Sequence, residues 1–402
     1  MDLGAPIDWP QAFPPQEYAE RRRALRRALA GAGCDALYVT TPAHLIYLTG
    51  YDMVWHHLRC LTGVLVRADA EETLFFDGRS HATLIATTPE IREVVWFENE
   101  DDEREAVRTL VEACAARGLG RGRIALERWG YAPHATLMER LAQGLRGTGA
   151  EVCDGSHFLE EIRLVKTPRE IAHMRRAARI ADEAMAAARD ALRPGIRESE
   201  LDAILMERML RAGGGAPAIR NMIGSGPRSG THHGPATERE VRAGELVFID
   251  FCACVHRYHV NLNRTFSLGP ADPRWSELME RAAGCVDAIR AAVRLGEPLS
   301  RLQEVADAYV DAAGLRPHVW WIGGYALGIA TPPDWCGRHW LAPLHGAPDR
   351  SLEPGVVVNF ENQFDVRAGW SGGNGAAYIE TLLVTPDGIE VLSELPRSLV
   401  AV

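Results

Sequence analysis

Two rhythms of apolar and polar positions alternate along the first part of the chain. Residues 14–30, PPQEYAERRRALRRALA, space their apolar positions at helical intervals and stop at the breaker Gly31-Ala32-Gly33, which predicts a helix. CDALYVTT follows as an apolar run rich in β-formers. HLIYLTGY, LTGVLVRA and ETLFFDG come next, each bounded by turn signals. Helix and strand signals continue to alternate to about Cys153, which predicts an α/β N-terminal domain. The segment RLVKTPREIAHMRRAARIADEAMAAARDAL then reads as one long amphipathic helix. Thr167 and Glu170 supply a capping-box pair at its start, with Pro168 in the first turn. The domain boundary is placed just before this helix, giving domains 1–160 and 161–402.

The second half contains an internal repeat. ALRPGIRESELDAILMERMLRAGG, residues 191–214, matches AVRLGEPLSRLQEVADAYVDAAGL, residues 292–315, with Gly195 on Gly296, Leu201 on Leu302 and Gly213 on Gly314. Each copy is a turn, a helix and a glycine stop, and each runs into a strand-like segment, AIRNMIGSG or VWWIGGYALG. A duplicated helix-plus-strand unit predicts a pseudo-twofold domain with a site between its halves. Between the copies, VFIDFCACV and YHVNLNRTFSL read as two strands joined by a polar turn. Asp250 sits in the first, where an acid needs a reason to be. Strand alternation puts His259, Asn261 and Asn263 of the second on one face, with Tyr258 on the other. Arg264 reads as structural, holding a neighbouring strand or carboxylate.

Composition narrows the classes. A chain of 402 residues with 47% hydrophobic content is a globular protein of about two domains. The net charge of -10, with basic residues scattered, argues against nucleic acid as a partner. No apolar run reaches membrane-spanning length, and the opening MDLGAPIDWPQAF lacks a basic-then-apolar signal pattern, so a soluble, cytoplasmic protein is expected. The eight cysteines form no C-x-x-C pair and are expected to stay reduced. Cys252 and Cys254 share a strand face, either as small buried thiols or as a soft-metal or nucleophile pair.

Five motifs follow in order in the C-terminal half: THHGPATE, FIDFCACVHRYHVNLNRTF, IGGYALGIATPPDW, LEPGVVVNFENQF and YIETLLVTPDG. They resemble the creatinase/aminopeptidase P family, and the resemblance extends through the linker helix and the N-terminal domain. It implies an α+β pita-bread catalytic domain, duplicated about a pseudo-twofold axis. Peptidases of that family bind two metal ions through five side chains. Asp250 matches the first ligand, Asn261 stands where a bridging Asp would be, and Tyr325 stands where a His would be. Glu361 and Glu380 match the last two. A neutral Asn replaces a bridging carboxylate poorly, and Tyr ligates only as a phenolate. The expectation is a degenerate dinuclear site with no cofactor, a single metal ion being left open. Asp250, Glu361 and Glu380 are then expected to converge. Clustered carboxylates repel, so a proton or a cation must sit among them, and a planar amidinium or guanidinium meets that demand.

The resemblance to creatinase-like and ectoine-hydrolase-like members implies metal-independent hydrolysis of a non-peptide C–N bond in a small amidine or guanidine. The PPDW of Pro332–Trp335 and the ending ELPRSL favour the ectoine-hydrolase side. His233, seventeen residues before Asp250, has the spacing of the family's catalytic His and suits proton transfer near neutral pH. His259, Asn261 and Tyr325 are expected to contact substrate. Arg338 is expected either to bind a substrate carboxylate or to form a surface ion pair. The segment YDMVWHHLRC corresponds to the loop that the family's dimers lay over a neighbour's site. This implies a homodimer and makes Trp55, His56 and Arg59 substrate contacts. The competing readings are a Xaa-Pro dipeptidase or aminopeptidase, a lyase or cyclase using the same groups, and an inert binding module. Retention of His233 among acids argues against the last.

Overall fold

A computed structural model describes residues 7, 9–55, 60–342, 348–366 and 370–402. The chain divides into two compact units, one ending at Arg163 and the other beginning at Leu164; the boundary expected from sequence was 160. The first unit contains helix α1 (Pro15–Gly31), strand β1 (Ala36–Val39), α2 (Pro42–Thr49), β2 (Gly63–Arg67), β3 (Thr73–Gly78), α3 (Ala82–Ala86), β4 (Val94–Phe97), α4 (Glu103–Ala116), β5 (Arg123–Leu126), α5 (Ala135–Thr148), β6 (Glu151–Asp154) and α6 (His157–Ile162). Its six strands form one mixed sheet in the order β4-β3-β2-β1-β5-β6. Tyr38, Phe76, Phe97, Leu126 and Leu141 pack in its core. The apolar run HLIYLTGY lies largely in α2, a short helix buried on every side. A run of this length is too uniformly apolar for its period to separate helix from strand.

The second unit begins with α7 (Pro168–Ala191), capped as its sequence predicts: Thr167 accepts from the Glu170 N–H, and the Glu170 carboxylate accepts from the Thr167 N–H. There follow α8 (Glu198–Arg211), β7 (Met222–Ser225), β8 (Leu246–Val255), β9 (Tyr258–Ser267), α9 (Pro273–Ala292), α10 (Ser300–Ala312), β10 (Val319–Ala326), β11 (Val357–Asp365) and β12 (Gly375–Thr385), with short strands β13 (Gly388–Val391) and β14 (Val400–Ala401). The six longer-range strands run β10-β11-β12-β9-β8-β7. That order is its own mirror: an edge strand and a hairpin from each copy of the repeat meet at β9 and β12. The repeat's glycines keep matching conformations, with φ of +86° and +82° at Gly195 and Gly296, and +78° and +64° at Gly213 and Gly314. Leu201 and Leu302 are both fully buried.

Pairing in this sheet is continuous along one row. Gly323 faces Glu361, Glu361 faces Ile379, Ile379 faces Asn263, Asn263 faces Asp250, and Asp250 faces Met222. Directly paired residues project to the same side, so Asp250 and Glu361 belong to one face and are equivalent under the pseudo-twofold. Apart from one buried ion pair the opposite face is apolar: Phe360, Phe364, Tyr378 and Leu382 pack with Trp275, Met279 and Leu302 of the helices.

The centre of the sheet is held by side chains as well as by its ladder. Only Ile379 and Asn263 form a ladder pair between β9 and β12. On one side of it Thr381 Oγ1 accepts from the Asn261 N–H (3.1 Å) and donates to the Asn261 carbonyl (3.1 Å). On the other, Thr265 Oγ1 accepts from the Ala377 N–H (2.9 Å) and donates to the Ala377 carbonyl (3.0 Å). On the helix-facing side Arg264 Nη2 donates to Glu380 Oε1 at 2.6 Å, both side chains being buried. The same guanidinium also donates to the carbonyls of Asn263, Ile379 and Leu395.

Breaking a buried ion pair on one side strands the other charge, at a cost of about 3–5 kcal/mol, whereas replacing both partners with apolar groups is often near neutral. Arg264→Met is therefore expected to destabilise the protein strongly in urea unfolding. Adding Glu380→Leu should restore most of the loss. Equal instability of the single and double variants would show that the pair is not what closes the sheet.

Candidate active site

The polar face of the sheet borders a cavity of about 630 Å³. Its floor comes from β8, β9 and β11, which contribute Asp250, Asn261, Glu361 and Gln363. One wall is aromatic: Trp320, Trp321 and Tyr325 from β10, and Trp335 and Trp340 from the segment after it. Ladder pairing puts Trp321 and Tyr325 on the Glu361 face, opposite Gln363 and Asn359. The register slips between Val319 and Trp321, and an irregularity of this kind re-aims a side chain. Adjacent tryptophans, Trp320 and Trp321, can thus both border the cavity. His233 lies at an exposed position of the lining, edge-on to Trp320 with centroids 5.5 Å apart.

The two floor carboxyls differ sharply in their surroundings. Glu361 accepts from Asn359 Nδ2 (2.7 Å), Gln363 Nε2 (2.7 Å) and the Tyr325 hydroxyl (3.1 Å). Burial pushes its pKa up to about 6, and these three donors limit the rise. Asp250 is equally buried, and its Oδ1 has no hydrogen-bond partner among the described residues. Burial first, and the Glu361 charge second, hold its pKa well above the usual carboxylate range. Of the two floor carboxyls Asp250 is thus the one driven harder toward its protonated form, while Glu361 is stabilised as a carboxylate by its donors, a separation of roles that suits acid–base work. Tyr325 also accepts from Trp335 Nε1 at 2.8 Å. Burial and the Glu361 charge keep its phenol protonated, with the pKa well above the ordinary value.

Several residues singled out in the sequence lie elsewhere. Glu380 does not join Asp250 and Glu361. It is on the opposite face, in the fully buried pair with Arg264, where burial pushes its pKa up to about 6. The predicted convergence of three acids is thus a convergence of two. His259 shares the Asn261 face but does not border the cavity. Its Nε2 accepts from the Ala218 N–H at 2.8 Å, and its ring meets Trp335 edge-on at 5.9 Å. Burial pushes its pKa down to about 4, so it is a neutral support for the wall. Arg338 is half-buried and lies outside the cavity lining; the arginine that does line the cavity is Arg220. The contacts expected of Trp55, His56 and Arg59 are with a neighbouring subunit's site, which a single chain does not test; Trp55 is 69% exposed, and His56 and Arg59 lie outside the described residues. Asn261 and Tyr325 line the cavity as expected. The tryptophan wall and Arg220 were not anticipated.

The chain belongs to metallopeptidase family M24, a family of hydrolases, whose sequence model matches residues 172–386, while that of the creatinase/prolidase N-terminal domain matches residues 21–165. This places it in the creatinase/aminopeptidase P group. An ectoine hydrolase of Halomonas elongata is 25% identical over 412 residues, covering 96% of this chain and 98% of the relative. A Xaa-Pro dipeptidase of Pyrococcus furiosus is 26% identical over 242 residues, covering 60% of this chain and 66% of the relative. Among solved structures, a Xaa-Pro dipeptidase from Bacillus anthracis superposes with a TM-score of 0.80 at 22% identity, over 96% of this chain and 100% of that one.

The family name raises the question of a metal centre, and the donor set answers it poorly. Asn261 is neutral, Tyr325 is a protonated phenol, Glu361 already accepts three hydrogen bonds, and Glu380 is bound to Arg264 on the other face. Among the described residues no group of three or more His, Cys, Asp or Glu side chains could hold a metal ion. These residues do not fit a dinuclear centre.

The order of ionisation can be read directly. In a carboxyl titration by carbon-13 NMR, Glu361 is expected to titrate near pH 6 while Asp250 stays protonated to higher pH. Tyr325→Phe removes a donor to the carboxylate and should move the Glu361 midpoint upward. Ionisation of Asp250 before Glu361 would reverse the assignment.

Proposed function

We propose that the chain hydrolyses a non-peptide C–N bond in a small amidine- or guanidine-type compound, without a metal ion. One observation carries this reading: a buried carboxylate held by three donors, Glu361, beside a second buried carboxyl whose Oδ1 has no partner among the described residues, Asp250, under a wall of four tryptophans. Indole faces attract delocalised organic cations, and Glu361 supplies the countercharge. Three lining residues, Asp250, Asn261 and Gln363, each carry a buried side-chain oxygen with no partner among the described residues. A ligand rich in N–H donors matches such a floor. The 25% identity with an ectoine hydrolase over nearly the whole of both chains supports the same class.

In this reading the substrate's C–N cation lies against Glu361 and the aromatic wall. The ion pair keeps its carbon electrophilic. His233 takes a proton from the attacking water, and Asp250, held neutral by its surroundings, gives its proton to the departing nitrogen. Proton return from His233 to Asp250 then restores both groups. A dipeptidase reading is favoured by the Pyrococcus and Bacillus relatives, but it would need metal ligands that Asn261, Tyr325 and the displaced Glu380 do not supply.

Cyclic and acyclic amidines, ectoine among them, and Xaa-Pro dipeptides form the substrate panel that separates the readings. Turnover of an amidine with no dipeptide cleavage is expected, and the reverse would sink the proposal. With the accepted amidine, His233→Ala should lower kcat about 10²–10⁴-fold and change KM little, the usual scale for losing a positioned proton-transfer group. Glu361→Gln should impair binding as well as turnover. If His233→Ala turned over normally, proton transfer would belong to another group.

Elemental analysis of the purified protein is expected to find no stoichiometric divalent metal, and chelation should leave activity intact. One or two ions of manganese, zinc or iron per chain, lost together with activity, would overturn the metal-free mechanism.

A further inference from the structure

The two copies of the repeat stay in step beyond their helices. Gly195 and Gly296, Gly213 and Gly314, and then Met222 and Gly323 at the two ends of the ladder row are all separated by the same interval. That interval equates Arg220 with Trp321, and both line the cavity. One copy therefore presents an indole where the other presents a guanidinium. The backbone beside Arg220 is fixed: Asn221 Nδ2 donates to Asp202 Oδ1 at 2.7 Å, and Asn221 Oδ1 accepts from the Cys252 N–H at 3.2 Å. Arg220 is an exposed residue, and its side chain makes no hydrogen bond or ion pair with any described residue. Arginine is always charged and offers a planar fork of donors matched to a carboxylate. Glu361 is occupied by its three donors and lies on β11, next to the tryptophan-bearing edge strand. Arg220 borders β7, the other edge of the row.

We propose that Arg220 is an anion subsite, and that the substrate is a zwitterion whose carboxylate is gripped there while its C–N cation lies against Glu361. The cationic half of this statement rests on the amidine reading above; the anionic half does not. Arg220 is thus a specificity-determining residue that selects carboxylate-bearing amidines over plain ones.

Calorimetric titration with ectoine, a cyclic amidine bearing a carboxylate, and with the same ring lacking the carboxylate tests both halves. Wild-type protein is expected to bind the carboxylate-bearing ring about 10- to 100-fold more tightly, the range expected for hydrogen bonds to a charged group. Arg220→Gln should abolish that preference and leave affinity for the carboxylate-free ring unchanged. Equal affinity of the wild type for the two rings, or an equal loss of both in Arg220→Gln, would overturn the anion subsite. If neither ring binds, the amidine reading fails, and N-acetylproline, a carboxylate without a cation, becomes the probe. Thermal stabilisation by it in the wild type but not in Arg220→Gln would sustain the subsite, and no difference between the two proteins would end it.

Discussion

The junction of β9 and β12 is the constraint on which the catalytic unit rests. A single ladder pair, Asn263 with Ile379, sits where the two copies of the repeat meet. Thr265 and Thr381 extend it by each engaging both the N–H and the carbonyl of a residue across the seam. A hydroxyl can both donate and accept, which is why one threonine on each side satisfies two backbone groups that would otherwise be buried unpaired. The Arg264–Glu380 pair ties the same seam from the helix side. Register across the seam decides which residues of the two hairpins share a face, and a slip of one residue would turn Asp250 or Glu361 into the core.

Given that register, the chemistry follows from local donors. Asp250 and Glu361 are equivalent positions of a duplicated unit, yet they are not equivalent acids. Glu361 has an amide two residues away on either side, Asn359 and Gln363, both reaching its carboxylate from the same strand face. The neighbours of Asp250 in β8 at the same spacing are Phe248 and Cys252, which offer it no side-chain amide. The duplicated unit carries two acids on one face, and the different flanking residues give only Glu361 donors that favour its charged form. The Trp335–Tyr325–Glu361 chain adds direction: an indole N–H can only donate, so Tyr325 accepts from it and spends its own proton on Glu361.

Much of this was legible in the sequence because it is periodic. The capping box at Thr167, the glycine-stopped repeat and the alternating hairpin around Asp250 carry their signals in spacing alone. What was not legible depends on which side of a strand, or of a wall, a residue takes. Glu380 matches its motif, but it pairs in line with Phe360, one step from the Glu361 row, and so projects into the helices. His259 has the right face, yet Ala218 claims its nitrogen. Trp320 borders the cavity because a register slip redirects it, and nothing in a two-residue alternation foretells that. Arg220 was within reach: extending the repeat from its glycines into AIRNMIGSG and VWWIGGYALG would have set it opposite Trp321.

The stripe Asn359–Glu361–Gln363 also bears on the energetics of turnover. Because the carboxylate and two of its donors are held on one strand, their mutual alignment is completed when the strand folds. A charge developing nearby meets dipoles that are already oriented, whereas water would have to turn to meet it. The strand thus acts as a solvent with almost no reorganisation energy, and its rigidity, more than the strength of any one of its hydrogen bonds, is the property that an altered sequence would have to preserve.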